Sequence, residues 1–432
     1  MKDDKRSGGM FIESVLYGDQ TQLAVTNMSF SKNILGGFPY YVKALAKVKK
    51  ACAMANYQAG LLDKDIYERI LVACDELIKG YHLGQFPVDV FGGGGGIAVN
   101  MNINEVIASI AGDGVKAIEH VNLSQSTSDV CHTALRVCLY ERIGELEKIV
   151  KDTLDILYAK YEEFKPYKTI ARTCWQDGIQ VSAGVLFSAT ASVLKREHKN
   201  LLRYRDYFKI INLGWTVIGS GMNATDEYQD RILDCLSSVV GYECTWHEYP
   251  FEAAQYPDDL VRVSNIFRSI SELMTKLARD IRILSSGPEA GLNELKLPNV
   301  QSGSSFFPGK NNPIIPETLI QSSLLVAGND SIIQTCLGLG EVHLNVWENM
   351  MGFLLLQNIS MIKSVLTIFN EKCLAGIELN KAVCEGYANS TMPLLVYYKE
   401  KRGYEYISKL VKDNGVSGTL ELLKNKDLKE MG

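Results

Sequence analysis

From residue 135 to residue 164, apolar side chains return every three or four positions (Leu139, Ile143, Leu146, Ile149, Val150, Leu154, Leu157 and Tyr161), and Pro166 closes the run. That spacing lines them along one stripe of a helix of about thirty residues, roughly 45 Å long at 1.5 Å per residue. Similar runs cover residues 179–211, 260–284, 315–336 and 344–374. Five long amphipathic helices predict a bundle. Strand-like alternation is sparse and does not recur between the helices, so the predicted class is mainly α. Gly-, Ser- and Asn-rich breaks at residues 92–96, 219–223, 286–288 and 301–313 separate the runs. The charged tail from Gly415 onward is expected to fray or to end in a short helix.

Composition narrows the function classes. The 432 residues are 46% hydrophobic and 22% charged, the balance of a globular protein with ample length for a large core. Forty-five basic against fifty acidic residues leave a net charge of −5, the wrong sign for a chain whose main partner is nucleic acid or an anionic membrane. Ten cysteines without a C-x-x-C pair read as reduced, mostly buried thiols of a cytoplasmic protein. Residues 1–9 carry no apolar stretch of the secretory type. The greasiest later stretch, 350–356, is far below the ~20 residues that span a bilayer, so no membrane segment is expected. The six histidines show no H-x-x-x-H or Cys/His zinc spacing; Cys244-x-x-His247 alone reads as packing, and no metal or cofactor is expected.

Four stretches carry candidate chemistry. Residues 301–313 (QSGSSFFPGKNNP) place hydroxyls, backbone N–H groups and Lys310 where they can converge on an anion. The segment is not a nucleotide P-loop, because Gly303 and Gly309 enclose five residues and Asn311 stands where a magnesium-binding hydroxyl belongs. Residues 92–96, five glycines before Ile97, read either as a backbone cradle for a carboxylate or as a flexible turn before a helix. Residues 120–129 set four hydroxyls at a helix start, as a capping cluster or as part of a site. Residues 171–177 follow Pro166 and open the next predicted helix, where capping again suffices.

Taken together, these stretches resemble the signature regions of the aspartase/fumarase superfamily in order and approximate spacing over nearly the whole chain. The loop Gly303-Ser304-Ser305-Phe306-Phe307-Pro308-Gly309-Lys310-Asn311-Asn312-Pro313 resembles that superfamily's G-S-S-x-M-P-x-K-x-N-P, with Phe307 in place of Met. Supporting pieces are Asn100-Met101-Asn102, Asn104-Glu105-Val106, Ser124 to Thr127, Gly219 to Asn223 and Gly328-Asn329-Asp330, which resemble the aspartate ammonia-lyases most closely.

The resemblance implies three helical domains: residues 1–127, a central five-helix bundle over 128–382, and a small one over 383–432. It also implies a homotetramer with active sites shared between subunits and a small dicarboxylate substrate. Ser304 would be the general base. Lys310 and Asn312, joined by Thr173, would hold the carboxylate on the carbon bearing the leaving group. Ser126, Thr127 and Ser305 would bind the other carboxylate, which becomes an enediolate as the proton leaves. An unperturbed serine is too weak a base, so loop N–H groups must stabilise its oxyanion.

Three departures fall on the substrate pocket. Gly96-Ile97-Ala98 replaces Gly-Thr-Ser, Ser128 replaces an Asn that contacts the leaving group, and Cys174 replaces the His of a Thr-His pair, while Glu317, that histidine's usual charge partner, persists. Cys174 reads as a space-filler, since a thiol is a weak donor. These changes open room for a group larger or less polar than ammonia. The expected activity is elimination of an amine from aspartate or an N-substituted aspartate to give fumarate. The alternatives are elimination of another group, water included, from a succinyl substrate, or a catalytically silent tetrameric scaffold.

Overall fold

The computed structural model describes residues 15–430, with the side chains of 426–430 left aside; the segment read for a secretory signal lies outside the described residues. The chain runs through helices α1 (Asp19–Met28), α2 (Pro39–Gln58), α3 (Lys64–Lys79), α4 (Ile97–Ala111) and α5 (Thr127–Phe164). A hairpin of β1 (Lys168–Thr173) and β2 (Gln176–Ser182) comes next, then α6 (Val185–Tyr207), β3 (Ile210–Ile211), α7 (Asp226–Val240), β4 (Thr245–Trp246), α8 (Pro250–Gln255) and α9 (Asp258–Leu284). The chain ends with β5 (Leu295–Lys296), α10 (Ile314–Leu337), α11 (Glu348–Lys372), β6 (Glu378–Leu379), α12 (Lys381–Ala388), α13 (Thr391–Arg402) and α14 (Tyr404–Glu430). The mainly α class predicted from periodicity is the one observed.

Four of the predicted long helices keep their place with shifted ends. The longest, α5, has 38 residues, about 57 Å at the helical rise, and its predicted stripe is buried at Leu139, Ile143, Leu146, Val150, Leu154 and Leu157. The fifth needs correction. Residues 179–182 belong to β2, and the helix starts only at Val185. Residues 171–177 therefore do not cap a helix; they form the hairpin tip. Thr173 pairs with Gln176 across a two-residue turn in which Cys174 and Trp175 have φ of 51° and 63°, the doubly left-handed geometry that matches strand twist. The tail beyond Gly415 is helical as far as Glu430, after a break at that glycine.

The chain divides into two compact units. The first comprises Met1–Gly144, Leu202–Asn265 and Asn329–Asn358. In it α2 packs on α3 and α7, burying Val42, Leu45, Val48, Tyr228 and Ile232, while Phe353 receives the edges of Phe38 and Tyr41 at 4.8 and 5.1 Å between ring centroids. The second comprises Glu145–Leu201, Ile266–Gly328 and Ile359–Gly432. Its core includes Phe164 edge-on to Phe187 at 5.5 Å, and α13 and α14 close a smaller cluster of Leu395, Tyr398, Ile407, Leu420 and Leu423.

The stretch Glu348–Gly376 is long and apolar enough to cross a bilayer, with a mean hydropathy of 1.5, a reach that the sequence reading of residues 350–356 underrated. Its apolar window is 61% buried within the protein, the situation of a core helix.

Candidate functional site

The candidate residues fall into two groups, one in each unit. In the first unit, Gly93, Gly95 and Gly96 take positive φ and deliver the chain into α4, whose first residue, Ile97, is exposed. Ser126 precedes α5 and forms a reciprocal cap. The Ser126 N–H donates to Asp129 Oδ1 at 2.8 Å, and the Ser128 N–H donates to Ser126 Oγ at 3.3 Å. Asp129 Oδ2 also accepts the N–H groups of Gly214 (3.1 Å) and Thr216 (3.2 Å), tying the start of α5 to the loop after β3. Burial pushes the Asp129 carboxyl up to about 6 against the pull of these three N–H donors.

Ser126, Thr127 and Ser128 line a cavity of about 280 Å³ with Gly94, Ile97 and Glu348. Both capping hydroxyls on its wall already accept: Ser126 Oγ from Ser128 N–H, and Thr127 Oγ1 from Asn100 Nδ2 at 3.1 Å. A hydroxyl whose oxygen is engaged as an acceptor keeps its proton to donate, which suits a carboxylate. Behind the cavity, Arg136 is 1% exposed and bonds both Glu348 and Asp259, the latter at 2.8 Å, while His132 Nδ1 lies 3.0 Å from Glu348. Burial works against the Glu348 carboxylate, but Arg136 and His132 hold it down at about 2. His247, the histidine of the Cys244-x-x-His247 pair, sits edge-on to His132 at 5.7 Å, and burial lowers it to about 3.

In the second unit, residues 301–313 form a pinched loop before α10. A Cβ on Gly303 would lie 2.1 Å from the Lys310 carbonyl oxygen and 2.8 Å from the Asn312 nitrogen, so only glycine lets the two arms meet. Asn312 Nδ2 closes the pinch by donating to the Gly303 carbonyl. Ser304 Oγ accepts two backbone N–H groups, from Phe306 and Phe307, each at 3.0 Å. Lys310 Nζ stands 5.2 Å over the Phe307 ring. Ser305 is exposed.

Lys310 and Asn312 line a basin of about 1170 Å³ with Trp175, Phe307, Arg279 and Glu317. Glu317 pairs with Arg282 at 3.1 Å. Thr173 ends β1 and is exposed. Cys174 is also exposed and lines a separate cavity of about 420 Å³ near the Arg172–Glu294 pair. Among the described residues, no three His, Cys, Asp or Glu side chains gather as a metal site.

Sequence reasoning missed the buried charges Lys49 and Arg136, the burial of Asp129 and the half-buried Glu348 that pairs with Arg136. The only signal available was a charged residue on an otherwise apolar helical stripe.

A fold of long helices, a glycine-pinched serine loop and hydroxyls capping the longest helix define a lyase. The profile of a family described as lyase matches residues 13–328, and the chain belongs to that family, within the aspartase/fumarase superfamily. Aspartate ammonia-lyase of Helicobacter pylori (strain J99 / ATCC 700824) is 34% identical over 411 residues, covering 93% of this chain and 88% of its own length. Aspartate ammonia-lyase of Escherichia coli (strain K12) is 34% identical over 418 residues, covering 93% and 87%. Among solved structures, fumarate lyase:delta crystallin from Brucella melitensis bound to cobalt superimposes with a TM-score of 0.92 at 36% identity, over 96% of this chain and 92% of that one. Class II fumarase from Schistosoma mansoni gives 0.88 at 26% identity, over 92% and 88%.

Proposed function

We propose that this carbon–nitrogen lyase eliminates an amine from aspartate or an N-substituted aspartate to give fumarate. Ser304, as alkoxide, takes the proton from the carbon beside one carboxylate; the electron pair moves into that carboxylate as an enediolate, and its return forms the C=C bond as the C–N bond breaks. The amine departs neutral from its protonated form. Ser126, Thr127 and Ser305 donate to the enediolate, and Lys310, Asn312 and Thr173 hold the second carboxylate. The observation that carries this reading is the pair of N–H donors already aimed at Ser304 Oγ, which would stabilise an oxyanion there.

The similarity to aspartate ammonia-lyases supports the amine as leaving group, and with it goes our reading of the protein as a cytoplasmic homotetramer of three-domain subunits whose sites are completed between copies. The test is to incubate the protein with aspartate and with N-substituted aspartates and to follow the ultraviolet absorbance of fumarate. No product from any succinyl amine would overturn the reading.

Ser128 and Cys174 are read as the positions that widen the leaving-group side. The double variant Ser128→Asn, Cys174→His is expected to raise kcat/KM for aspartate relative to an N-substituted aspartate by about tenfold, the worth of one good polar contact. An unchanged ratio would remove these two positions from substrate choice.

A further inference from the structure

Lys49 lies on α2 in the first unit, 1% exposed, and donates to Asn122 Oδ1 at 3.0 Å and Gln125 Oε1 at 2.9 Å. Both partners are neutral amide oxygens. An ammonium has donors and no acceptor, so these bonds run in one direction only and decide which end of each amide faces Lys49. Asn122 Oδ1 must then receive from its other neighbours. It does so from the amide nitrogens of Asn100 at 3.1 Å and Asn104 at 3.2 Å. The Asn100 nitrogen also lies 3.1 Å from Thr127 Oγ1 and can only donate to it. The amide oxygens of Asn100 and Asn104 are buried without a hydrogen-bond partner, so the chain of bonds is oriented from the Asn122 end.

We infer that Lys49 is a positioning residue: acting through Asn122 and Asn100, it turns the Thr127 hydroxyl into a donor for the substrate carboxylate, and its buried charge helps to hold the negative charge that develops there. This rests on the reading above that Thr127 binds the carboxylate next to the carbon that loses its proton.

Among the neighbours that act on that charge, Asp129 is the one carboxylate, and it is shared with other donors. Asp129 on α5 is engaged by three backbone N–H groups. Cys52 on α2 and Cys131 on α5 are pushed up to about 12 by burial, and Cys74 on α3 is raised likewise. On α7, the Tyr228 hydroxyl donates to Cys52 Sγ at 3.4 Å and is raised too. The thiols and the phenol are neutral at pH 7, and the network on α4 is built of Asn100 and Asn104. Burial lowers Lys49 itself to about 8, so its charge is present at pH 7 and lost as the pH rises through 8.

The test compares wild type, Lys49→Met and Asn122→Asp as full chains, using the succinyl amine that the wild type converts best, from pH 6 to 10. Lys49→Met is expected to lower kcat about 10- to 100-fold, by analogy with removing a transition-state donor, while KM changes less than about threefold. The alkaline limb of kcat/KM near pH 8 should vanish with it. Asn122→Asp keeps the acceptor but sets a carboxylate against Lys49, so its alkaline limb should move up by about one pH unit or more.

If Lys49→Met does not fold, the Asn122→Asp profile decides alone. An active wild type whose limb stays put in Asn122→Asp overturns this inference and leaves the elimination reading standing. A wild type inert toward every succinyl amine brings down both.

Discussion

Ser304→Ala is expected to lower kcat for fumarate formation by about 10²- to 10⁴-fold, the range a positioned base contributes, with little change in KM or in the thermal unfolding curve. The asymmetry follows from where the residue sits. Ser304 belongs to an exposed loop whose shape is set by the Gly303 pinch and the Asn312 amide, so losing one hydroxyl removes no core contact. It does remove the atom on which the Phe306 and Phe307 N–H groups converge at 3.0 Å. Two backbone donors on one oxygen stabilise its deprotonated form more than its protonated form, which makes a serine usable as a base. Stopped-flow absorbance of the variant, beside its circular dichroism melt, checks this. Retention of more than about a tenth of wild-type kcat with an intact melt would place the base elsewhere.

Arg136→Met should destabilise the protein by about 3–5 kcal/mol, the cost of breaking a buried ion pair by removing one partner. Arg136 is 1% exposed, and its guanidinium serves both Glu348 and Asp259. Methionine fills much of the volume but leaves two carboxylates facing an apolar neighbour.

The effect is pH-dependent with a definite sign. Glu348 in the folded protein is held at about 2, below the ordinary glutamate range, so its pairing contributes in full above about pH 5 and is lost as the pH falls toward 2. The gap between wild type and variant should therefore be widest near neutrality and close in acid. Urea unfolding at one fixed protein concentration, at pH 7 and near pH 3, measures it. A gap below about 1 kcal/mol at pH 7 would show that the cluster is no more than a surface-grade ion pair.

How much of this was legible in the sequence depended on the range of the interaction. The long helices were readable because their apolar stripes repeat within a few positions, and the loop before α10 because glycine, proline and asparagine punctuate it. The hairpin was not. Ile179, Leu186 and the residues beyond them also satisfy helical spacing, and a Cys-Trp turn lacks the Asn-Gly signature that would announce two left-handed residues.

The buried polar network was beyond reach for a different reason. Arg136 and Glu348 stand 212 positions apart, and Lys49 and Asn122 stand 73 apart; a charge inside a helical stripe gains its meaning only when the fold supplies the other half. The hydroxyls of Ser126, Thr127 and Ser304 could be nominated by resemblance. Which of them accept, and from whom, required coordinates.

Nine of the ten thiols are buried and Cys174 alone is exposed, at the tip of a hairpin beside Trp175. The chain thus carries a ready-made attachment point: a maleimide fluorophore or nitroxide applied to the unmodified protein has a single accessible address. A label there would sit next to an indole that quenches or broadens it, and could report how the hairpin tip responds to ligands without any cysteine having to be engineered away.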